Sequence, residues 1–398
     1  MDAEEARMIG RQLSRIRAER GKTQDVIAGL AGITPGYLSM LENGQRALNT
    51  MRTVKALANA LQIAPSELMK LPVPAPGNGH TDAATDAVRL ALMAVGRHRP
   101  GGQVVPVDEL RARVYAAQDA LHQCRKAELS AMLPALIRDV HTSLAAGRQV
   151  AELLDLAVLL HVQGVSHWLR EVGAPLDLRR ENDITLTYQL AEERDTPVAL
   201  GLAAYGATRV TLAAGAFELA QAELDAVTVP TNSPESMQLA GMLALSHSLV
   251  AATDSRPADA AVAVEHAAEL AQRTGEGTAY GLGFGPTNVG CWRMEAVLEI
   301  GDHEQVTALA ESLNPDVHPY RSRQSAYWRD YGRGLVQVRA RQDDAVLALR
   351  RAEQLHPHRV QRDPMVREVL AELLTRVRSD SSAGQELRGL AYRAGLAV

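Results

Sequence analysis

The sequence predicts an all-α protein with a small helical domain at its amino end and a long series of helical segments behind it. Alanine, leucine and arginine are abundant in the 398 residues and aromatic residues make up only 4%; alanine and straight-chain residues lose little conformational freedom in a helix. Apolar residues recur at helical spacing, and no segment has the alternating pattern of a strand. The length favours two or more domains.

Charge is distributed unevenly along the chain. The net charge is −5, yet residues 1–70 carry ten basic and seven acidic side chains, against 32 basic and 40 acidic in the remainder. A modestly basic domain suits contact with phosphates, and an acidic remainder does not.

Cysteine usage and hydropathy indicate the compartment. Cys124 and Cys291 are the two cysteines, too few for a disulfide framework or a four-cysteine zinc site. The segment MDAEEARMIG has no apolar stretch of a secretory signal, and no run approaches the roughly 18 apolar residues of a membrane span. We therefore expect a cytoplasmic protein with no membrane partner.

Five short helical patterns fill residues 1–70. The first, Ile9–Glu19, carries apolar residues on one face and ends near a glycine. Thr23 and Thr34 are placed to cap the second and third helices, because a hydroxyl there accepts a free N–H of the first turn. Two further patterns lie at about 50–61 and 64–68.

The segment GKTQDVIAGLAGITPGYLSMLENG, residues 21–44, closely resembles the phage repressor/Cro-type (XRE) helix-turn-helix, as does its continuation to Leu68. The resemblance covers about the first 70 residues and extends to helix lengths, turn glycine, core pattern and caps. It implies a five-helix repressor-type helix-turn-helix domain whose third helix enters the DNA major groove. The alternative for these residues is a helical bundle unrelated to DNA.

The resemblance also implies which residues meet DNA: the exposed face of the third helix, and flanking residues on the phosphate backbone. The predicted DNA-binding residues are Thr23, Gln24, Thr34, Pro35, Gly36, Tyr37, Ser39, Met40, Asn43, Gln45, Arg46 and Arg52. By the same resemblance, Arg17 and Glu42 are expected to form a partly buried ion pair between the first and third helices.

Three of these positions depart from the family pattern. Pro35, Gly36 and Met40 stand where family members often carry glutamine or arginine, and none makes a bidentate hydrogen bond to a base edge. Sequence choice is therefore expected to rest on contact with thymine methyl groups, on the hydroxyls of Thr34 and Ser39, and on DNA shape.

Residues 71–106 are predicted to be a linker with one helix, at about 82–95. Alternating prolines followed by glycines in Leu71–His80 are typical of an extended, semi-stiff tether. His80 and His98 have no partners at metal-ligand spacing and are expected to be solvated.

Residues 107–398 read as fourteen successive helical patterns. From residue 149 the first helices of successive pairs start roughly 40 residues apart, the cue for a helical-hairpin solenoid. Ala345, Leu349, Ala352 and Pro357 match the second half of a tetratricopeptide repeat. The chain thus resembles actinobacterial XRE regulators with a tetratricopeptide-like carboxy-terminal domain; the alternative is an irregular helical bundle.

Aromatic residues concentrate in three segments of this domain, around Trp168, Trp292 and Tyr327–Tyr331, where they either fill the seam between hairpins, the default, or line a concave groove. In the groove they would anchor a peptide or small-molecule effector, and in distant peptide-sensing relatives asparagines hold the peptide backbone. The candidate effector-binding residues are Asn288, Trp292, Tyr327, Trp328 and Tyr331.

Catalytic and cofactor motifs are missing from the sequence. The glycine-rich run at 275–286 lacks the Gly-Lys-Ser/Thr ending of a phosphate loop, and no nucleophile elbow or paired zinc histidines occur. We therefore expect no catalytic activity, cofactor or metal.

The function predicted is that of a homodimeric, nucleoid-associated transcriptional regulator on a pseudo-palindromic operator, with an effector sensed by the repeat domain. One alternative is a DNA-binding adaptor whose repeat domain binds a protein partner and no small effector. The other is an enzyme fused to a DNA-binding domain.

Overall fold

A computed structural model describes residues 8–69 and 79–396 of the chain. Within these ranges the secondary structure is helical, and the extended pairing is one isolated antiparallel bridge between Gly277 and Phe284. The predicted all-α class is confirmed for this part of the chain. The predicted tether at Leu71–His80 lies outside the described residues apart from its last two positions. None of the helices described is long and apolar enough to cross a membrane.

The amino-terminal part, residues 8–69, is a compact five-helix unit that we call the head. Its helices are α1 (Met8–Glu19), α2 (Gln24–Ala31), α3 (Pro35–Glu42), α4 (Met51–Leu61) and α5 (Pro65–Leu68).

Local signals explain where the helices of the head begin and end. The Thr23 hydroxyl accepts a hydrogen bond from the Val26 N–H at 3.3 Å and caps α2. Gly32 follows that helix in the left-handed region, with φ of 67°, a conformation that costs glycine little. Thr34 caps α3 in the same way, and Pro35 is its first residue, where a missing N–H costs nothing.

The core of the head is a single apolar cluster under α2 and α3. Ile27, Leu38 and Leu41 are fully buried in it, together with residues of α1 and α4. A Cβ at Gly10 would lie 2.2 Å from the Leu41 carbonyl oxygen, so only glycine allows α1 this close approach to α3. Met365, far along the chain, completes the same cluster.

Residues 79–396 form the second part, which we call the body. Its first helices are α6 (Gly79–Gly96), α7 (Val107–His122), α8 (Lys126–Ala145), α9 (Val150–Leu159), α10 (His167–Glu171), α11 (Leu176–Arg180), α12 (Thr187–Arg194) and α13 (Pro197–Ala214). Two π-helical segments, Leu160–Ser166 and Glu181–Leu186, join α9 to α10 and α11 to α12.

The remaining helices of the body follow in sequence with short connections. They are α14 (Phe217–Asp225), α15 (Pro234–Thr253), α16 (Pro257–Thr274), α17 (Pro286–Ile300), α18 (His303–Ser312), α19 (Arg321–Leu335), α20 (Gln342–Leu355), α21 (Pro357–Arg362), α22 (Pro364–Leu374) and α23 (Ser382–Arg393). Short 3₁₀ turns lie at Ala279–Gly281 and Pro315–Val317. The sequence patterns had not predicted α21.

Neighbouring helices of the body pack in pairs, most extensively α15 with α16 and α19 with α20. The helix predicted within the linker, α6, packs against α8 and contributes Val88 and Leu92 to the largest core cluster. A second cluster joins α19, α20, α22 and α23, and Ala47 of the head belongs to it. The tetratricopeptide-like arrangement stays a prediction.

Candidate nucleic-acid interface

The outer face of α3 is open to solvent. Thr34, Pro35 and Gly36 at its start and Asn43 after its end are exposed, whereas Leu38 and Leu41 on the opposite face are buried. Tyr37, Ser39 and Met40 are half-buried at its edges. The helix therefore stands on the apolar cluster and presents a short row of small and polar side chains outward.

A buried ion pair fixes the carboxyl end of α3 to α1. The Arg17 guanidinium donates to Glu42 through Nε at 2.5 Å and through Nη2 at 2.8 Å. Burial alone would raise the pKa of Glu42, but hydrogen bonds from Arg17 and Gln24 outweigh it, and the pKa lies below its ordinary value. The carboxylate is thus held ionised where it anchors the helix.

The side chain of Gln24 takes part in the same network. Its Nε2 donates to Glu42 Oε2 at 2.8 Å, so the amide is directed to the ion pair rather than outward to a phosphate. Thr23, the other predicted contact on α2, uses its hydroxyl to cap the helix and is exposed. Both residues position the start of α2 beside α3.

The residues predicted to hold the DNA backbone after α3 divide into two groups. Gln45 is exposed. Arg46 lies 3.7 Å from the Glu372 carboxylate of the body, and Arg52 donates to the Ile300 carbonyl oxygen at 2.7 Å. The two arginines therefore contact the body in this structure.

Carboxylates of the body also accept hydrogen bonds from backbone N–H groups of the head. Glu299 accepts from Met51, the first residue of α4, at 2.6 Å, and Glu372 accepts from Ala47 at 2.6 Å. Glu368 accepts from Ile9 near the start of α1 at 3.1 Å. The body thereby occupies N–H groups at two helix starts, the kind of group that binds phosphate.

These three carboxylates are removed from water. Glu368 and Glu299 are 5% exposed and Glu372 is 1% exposed. Burial raises the pKa of Glu368 to about 7, although the hydrogen bond from Ile9 opposes the shift. Burial likewise raises the pKa of Glu299, against the opposing charge of Arg333.

A reciprocal pair of hydrogen bonds completes the contact between head and body. Arg333 Nε donates to Asn49 Oδ1 at 2.9 Å, and Asn49 Nδ2 donates to the Arg333 carbonyl oxygen at 3.1 Å. Arg333 also lies 3.4 Å from Glu299 and 3.1 Å from Asp330. Sequence reasoning missed these contacts because the partners are 284 positions apart and share no local pattern.

The candidate effector residues lie in the interior of the body. Asn288 is fully buried and donates to the Gly283 carbonyl oxygen at 2.8 Å. Trp292 is buried with the Arg209 guanidinium 4.4 Å from its ring centroid. The Tyr327 hydroxyl donates to the Ala310 carbonyl oxygen at 2.7 Å.

Trp328 and Tyr331 are partly buried and pack edge-on or tilted against Tyr327. None of the five residues lines the cavity that Met51 and Met69 of the head share with the body, or the smaller cavity beside it in the body. Tyr327, Trp328 and Tyr331 pack against one another, as residues in a seam between helices do, and the effector-binding role stays a prediction. The cavities are lined instead by arginines and carboxylates, which the sequence patterns did not single out.

Comparison with known proteins relates the head to a described family. A family model for a helix-turn-helix domain matches residues 9–71. An uncharacterized HTH-type transcriptional regulator of Sinorhizobium fredii is 36% identical over 63 residues, which are 16% of this chain and 80% of that protein. No solved structure matches the chain.

Proposed function

Since the chain belongs to the family of HTH-type transcriptional regulators, we propose that it binds double-stranded DNA in a sequence-dependent manner and so regulates transcription. The observation that carries this proposal is the exposed face of α3, with Thr34, Pro35 and Gly36 open to solvent. A helix held in this way by its buried face fits the major groove. The family match and the proposed contact of α3 with the major groove both involve the head and not the body.

Base contacts would be few and of limited specificity. Pro35 and Met40 offer apolar surface for a thymine methyl group, and Ser39 offers a hydroxyl. Asn43 Nδ2 already donates to Ser39 Oγ at 3.3 Å, which orders the two side chains at the end of α3. With no guanidinium on this face, DNA shape would carry part of the sequence preference.

Backbone contacts would come from the groups on either side of α3. Helix starts and arginines are the usual phosphate ligands of such domains. The chain after α3 supplies both kinds of group within ten residues: Arg46, Arg52 and the start of α4, together with Gln45. We propose a homodimer whose two heads would dock in successive major grooves about 34 Å apart on a pseudo-palindromic operator.

The body is proposed to control this binding by competing for the same groups. Glu299 accepts hydrogen bonds from the Met51 and Arg52 N–H groups at 2.6 and 3.4 Å, and Glu372 faces Arg46 and Ala47. Carboxylate and phosphate are both oxyanions, so these contacts and DNA phosphates exclude each other. An effector that prefers one arrangement of head and body would then shift DNA affinity.

Two glycine variants test the DNA-binding face. A Cβ at Gly36 meets open space, as does one at Gly29 on α2, so glutamate fits at both positions without a clash. Gly29 lies about 140° around α2 from Gln24 at 100° per residue, away from α3.

In fluorescence anisotropy with labelled duplex DNA, Gly36→Glu should weaken binding at least tenfold, because it brings a negative charge to the phosphates. Gly29→Glu makes the same change in net charge and should alter affinity less than threefold. Equal losses in the two variants would contradict the proposed docking face.

A further inference from the structure

Two adjoining cavities have volumes of about 360 and 90 Å³; residues of both head and body line the larger one, and residues of the body line the smaller one. Six residues line both cavities. We call the two cavities together the arginine chamber. The six residues that line both cavities are Arg170, Glu171, Arg209, Glu295, Arg329 and Arg359. Arg179 lines the larger cavity beside them.

Positive charge predominates in the chamber. Seven arginines and four carboxylates line the larger cavity. Three of the arginines are engaged: Arg329 and Arg333 lie 2.9 and 3.1 Å from the Asp330 carboxylate, and Arg362 donates to the Val172 carbonyl oxygen.

Three of the four carboxylates already have partners, and Asp363 lies 3.7 Å from the Arg329 guanidinium of the chamber itself. Glu171 lies 3.2 Å from the His356 imidazole, and Glu299 accepts from the head. Asp363 caps α22 by accepting from the Met365 N–H at 2.9 Å. Glu295 is the remaining carboxylate of the chamber.

Four guanidinium groups are left without a hydrogen bond or ion pair to any residue that the structure describes. They belong to Arg170, Arg179, Arg209 and Arg359. The Nε atoms of Arg170 and Arg179 are buried, and the Arg209 guanidinium lies over the Trp292 ring, 4.4 Å from its centroid. One uncommitted carboxylate cannot balance four such groups.

These guanidinium groups also repel one another. Burial, and then the charges of Arg359, Arg209 and Arg179, lower the pKa of Arg170. Because a guanidinium stays protonated near neutral pH, the repulsion persists in the folded chain. An anion between these arginines would supply the missing hydrogen-bond acceptors and cancel the repulsion.

Gln163 gives an independent indication of a ligand. The residue is 1% exposed, lines the smaller cavity, and its Nε2 has no hydrogen-bond partner in the described part of the chain. Buried polar groups are almost always hydrogen-bonded, and an unsatisfied one costs about 1–3 kcal/mol. Like the arginines, this nitrogen is a donor and requires an acceptor.

We propose that the arginine chamber binds a small molecule carrying at least two oxyanion groups, phosphate or carboxylate. Planar guanidinium groups recognise both by paired hydrogen bonds. Leu212, Leu249 and Met365 also line the larger cavity and would contact an apolar part of the ligand. The larger volume is that of a typical small-molecule site.

The chamber lies where a ligand would influence the head. Met51 and Met69 of the head line the larger cavity together with Glu299, the carboxylate that accepts from the start of α4. The ligand is therefore an effector of the proposed DNA regulator, and this regulatory role rests on the proposed function. Binding of the ligand to the chamber does not depend on the proposed function.

Thermal unfolding of the full chain with pyrophosphate and with citrate, at constant ionic strength and without DNA, tests the chamber. A neutral sugar is added in a third experiment as the uncharged control. The matched variants are Arg179→Gln, which removes a chamber guanidinium, and Arg180→Gln, which removes its exposed neighbour on α11. Arg359→Gln is the second chamber variant, used if Arg179→Gln does not fold.

Pyrophosphate or citrate should raise the melting temperature of the wild type and of Arg180→Gln by about 4 °C or more. The rise should fall to under 1 °C in Arg179→Gln or Arg359→Gln. A larger effect of pyrophosphate indicates a phosphorylated ligand, and a larger effect of citrate indicates a polycarboxylate.

Three results would overturn the proposal: no response to either anion, the same response in Arg179→Gln and Arg180→Gln, or a response equal to that of the neutral sugar. A lower melting temperature of Arg179→Gln with its anion response retained would assign that arginine a purely structural role and would also overturn it. A chain that binds pyrophosphate in its chamber but no DNA would instead contradict the proposed function.

Discussion

The carboxylate of Glu299 in the body accepts a 2.6 Å hydrogen bond from the backbone N–H of Met51, which begins α4 in the head, 248 positions away. A charge-assisted hydrogen bond at a helix start stabilises both the helix and the contact. The carboxylate also lies 3.4 Å from Arg333, which holds Asn49. This cluster joins the head to the body at the site proposed for DNA phosphates.

Weakening this contact is expected to favour DNA binding. Glu299→Gln keeps the shape of the side chain but removes its charge, which should raise the affinity of the full chain for duplex DNA about fivefold to tenfold, corresponding to about 1–1.4 kcal/mol. Anisotropy titration measures the affinity, and hydrogen exchange at Met51 and Arg52 reports release of the head.

Glu304→Gln is the matched control, because Glu304 on α18 is exposed, lies outside the chamber and makes the same change in charge without a hydrogen bond to the head. It should leave exchange at Met51 unchanged. Unaltered DNA affinity in Glu299→Gln, with faster exchange at Met51, would contradict competition between the body and DNA.

The Arg17–Glu42 pair should dominate the stability of α2 and α3. Glu42→Ala removes the carboxylate partner of the partly buried Arg17 guanidinium, which is 17% exposed and keeps its hydrogen bond to the Lys22 carbonyl oxygen, and should lower the free energy of opening by about 3 kcal/mol. Hydrogen exchange of the α2 and α3 amides in the full chain measures it.

Glu19→Ala breaks the exposed pair with Arg15, in which the side chains are 67% and 64% exposed. An exposed pair contributes about 0–1 kcal/mol, so this control should change exchange little. Similar effects of the two substitutions would mean that the Glu42 pair is exposed in solution.

Stability should fall as pH rises through neutrality because of Glu368. Burial raises its pKa to about 7 from the ordinary 4.5, so the folded protein binds this proton more tightly than the unfolded chain. The resulting stabilisation is full below pH 4.5 and is lost as pH rises through 7. Between pH 6 and pH 8 the loss is about 1 kcal/mol.

Urea unfolding of the wild type and of Glu368→Gln at these two pH values measures this contribution. Glutamine does not titrate, so the variant should lose about 1 kcal/mol less than the wild type over the same interval. Other titrating groups affect both proteins alike. Identical pH dependence in the two proteins would show that Glu368 does not carry the effect.

Two substitutions separate base contacts from positioning in the head. Met40→Ala should change the preference among duplexes that differ in thymine content, because it removes apolar surface from the α3 face. Gln24→Ala should weaken binding to all duplexes similarly, since its amide supports Glu42. Competition titrations with a set of duplexes measure both, and the reverse assignment would contradict the docking.

Local features of the head could be predicted from sequence because their signals are local. Thr23 and Thr34 were expected as caps and are caps in the structure. Leu38 and Leu41 stand three positions apart, a helical spacing for one apolar face, and both are buried together with Ile27. A threonine cap and apolar residues at helical spacing act over a few positions, so these features can be recognised in the sequence alone.

The contact between head and body and the arginine chamber could not be predicted in this way. Glu299 and Met51 meet only because many intervening helices pack as they do. Arg170, Arg179 and Arg359 lie on α10, α11 and α21, and each resembles a surface arginine within its own helix. Their excess charge emerges only when those helices enclose one cavity.

Selection of duplexes from a random-sequence pool by the full chain, with Gly36→Glu selected in parallel, measures whether the exposed face of α3 recognises DNA. We expect the wild type to enrich a pseudo-palindromic sequence with half-sites about one helical turn apart, and Gly36→Glu to enrich none. A folded wild-type chain that retains no duplex at low salt, or a Gly36→Glu variant that enriches the same sequence, would contradict this recognition.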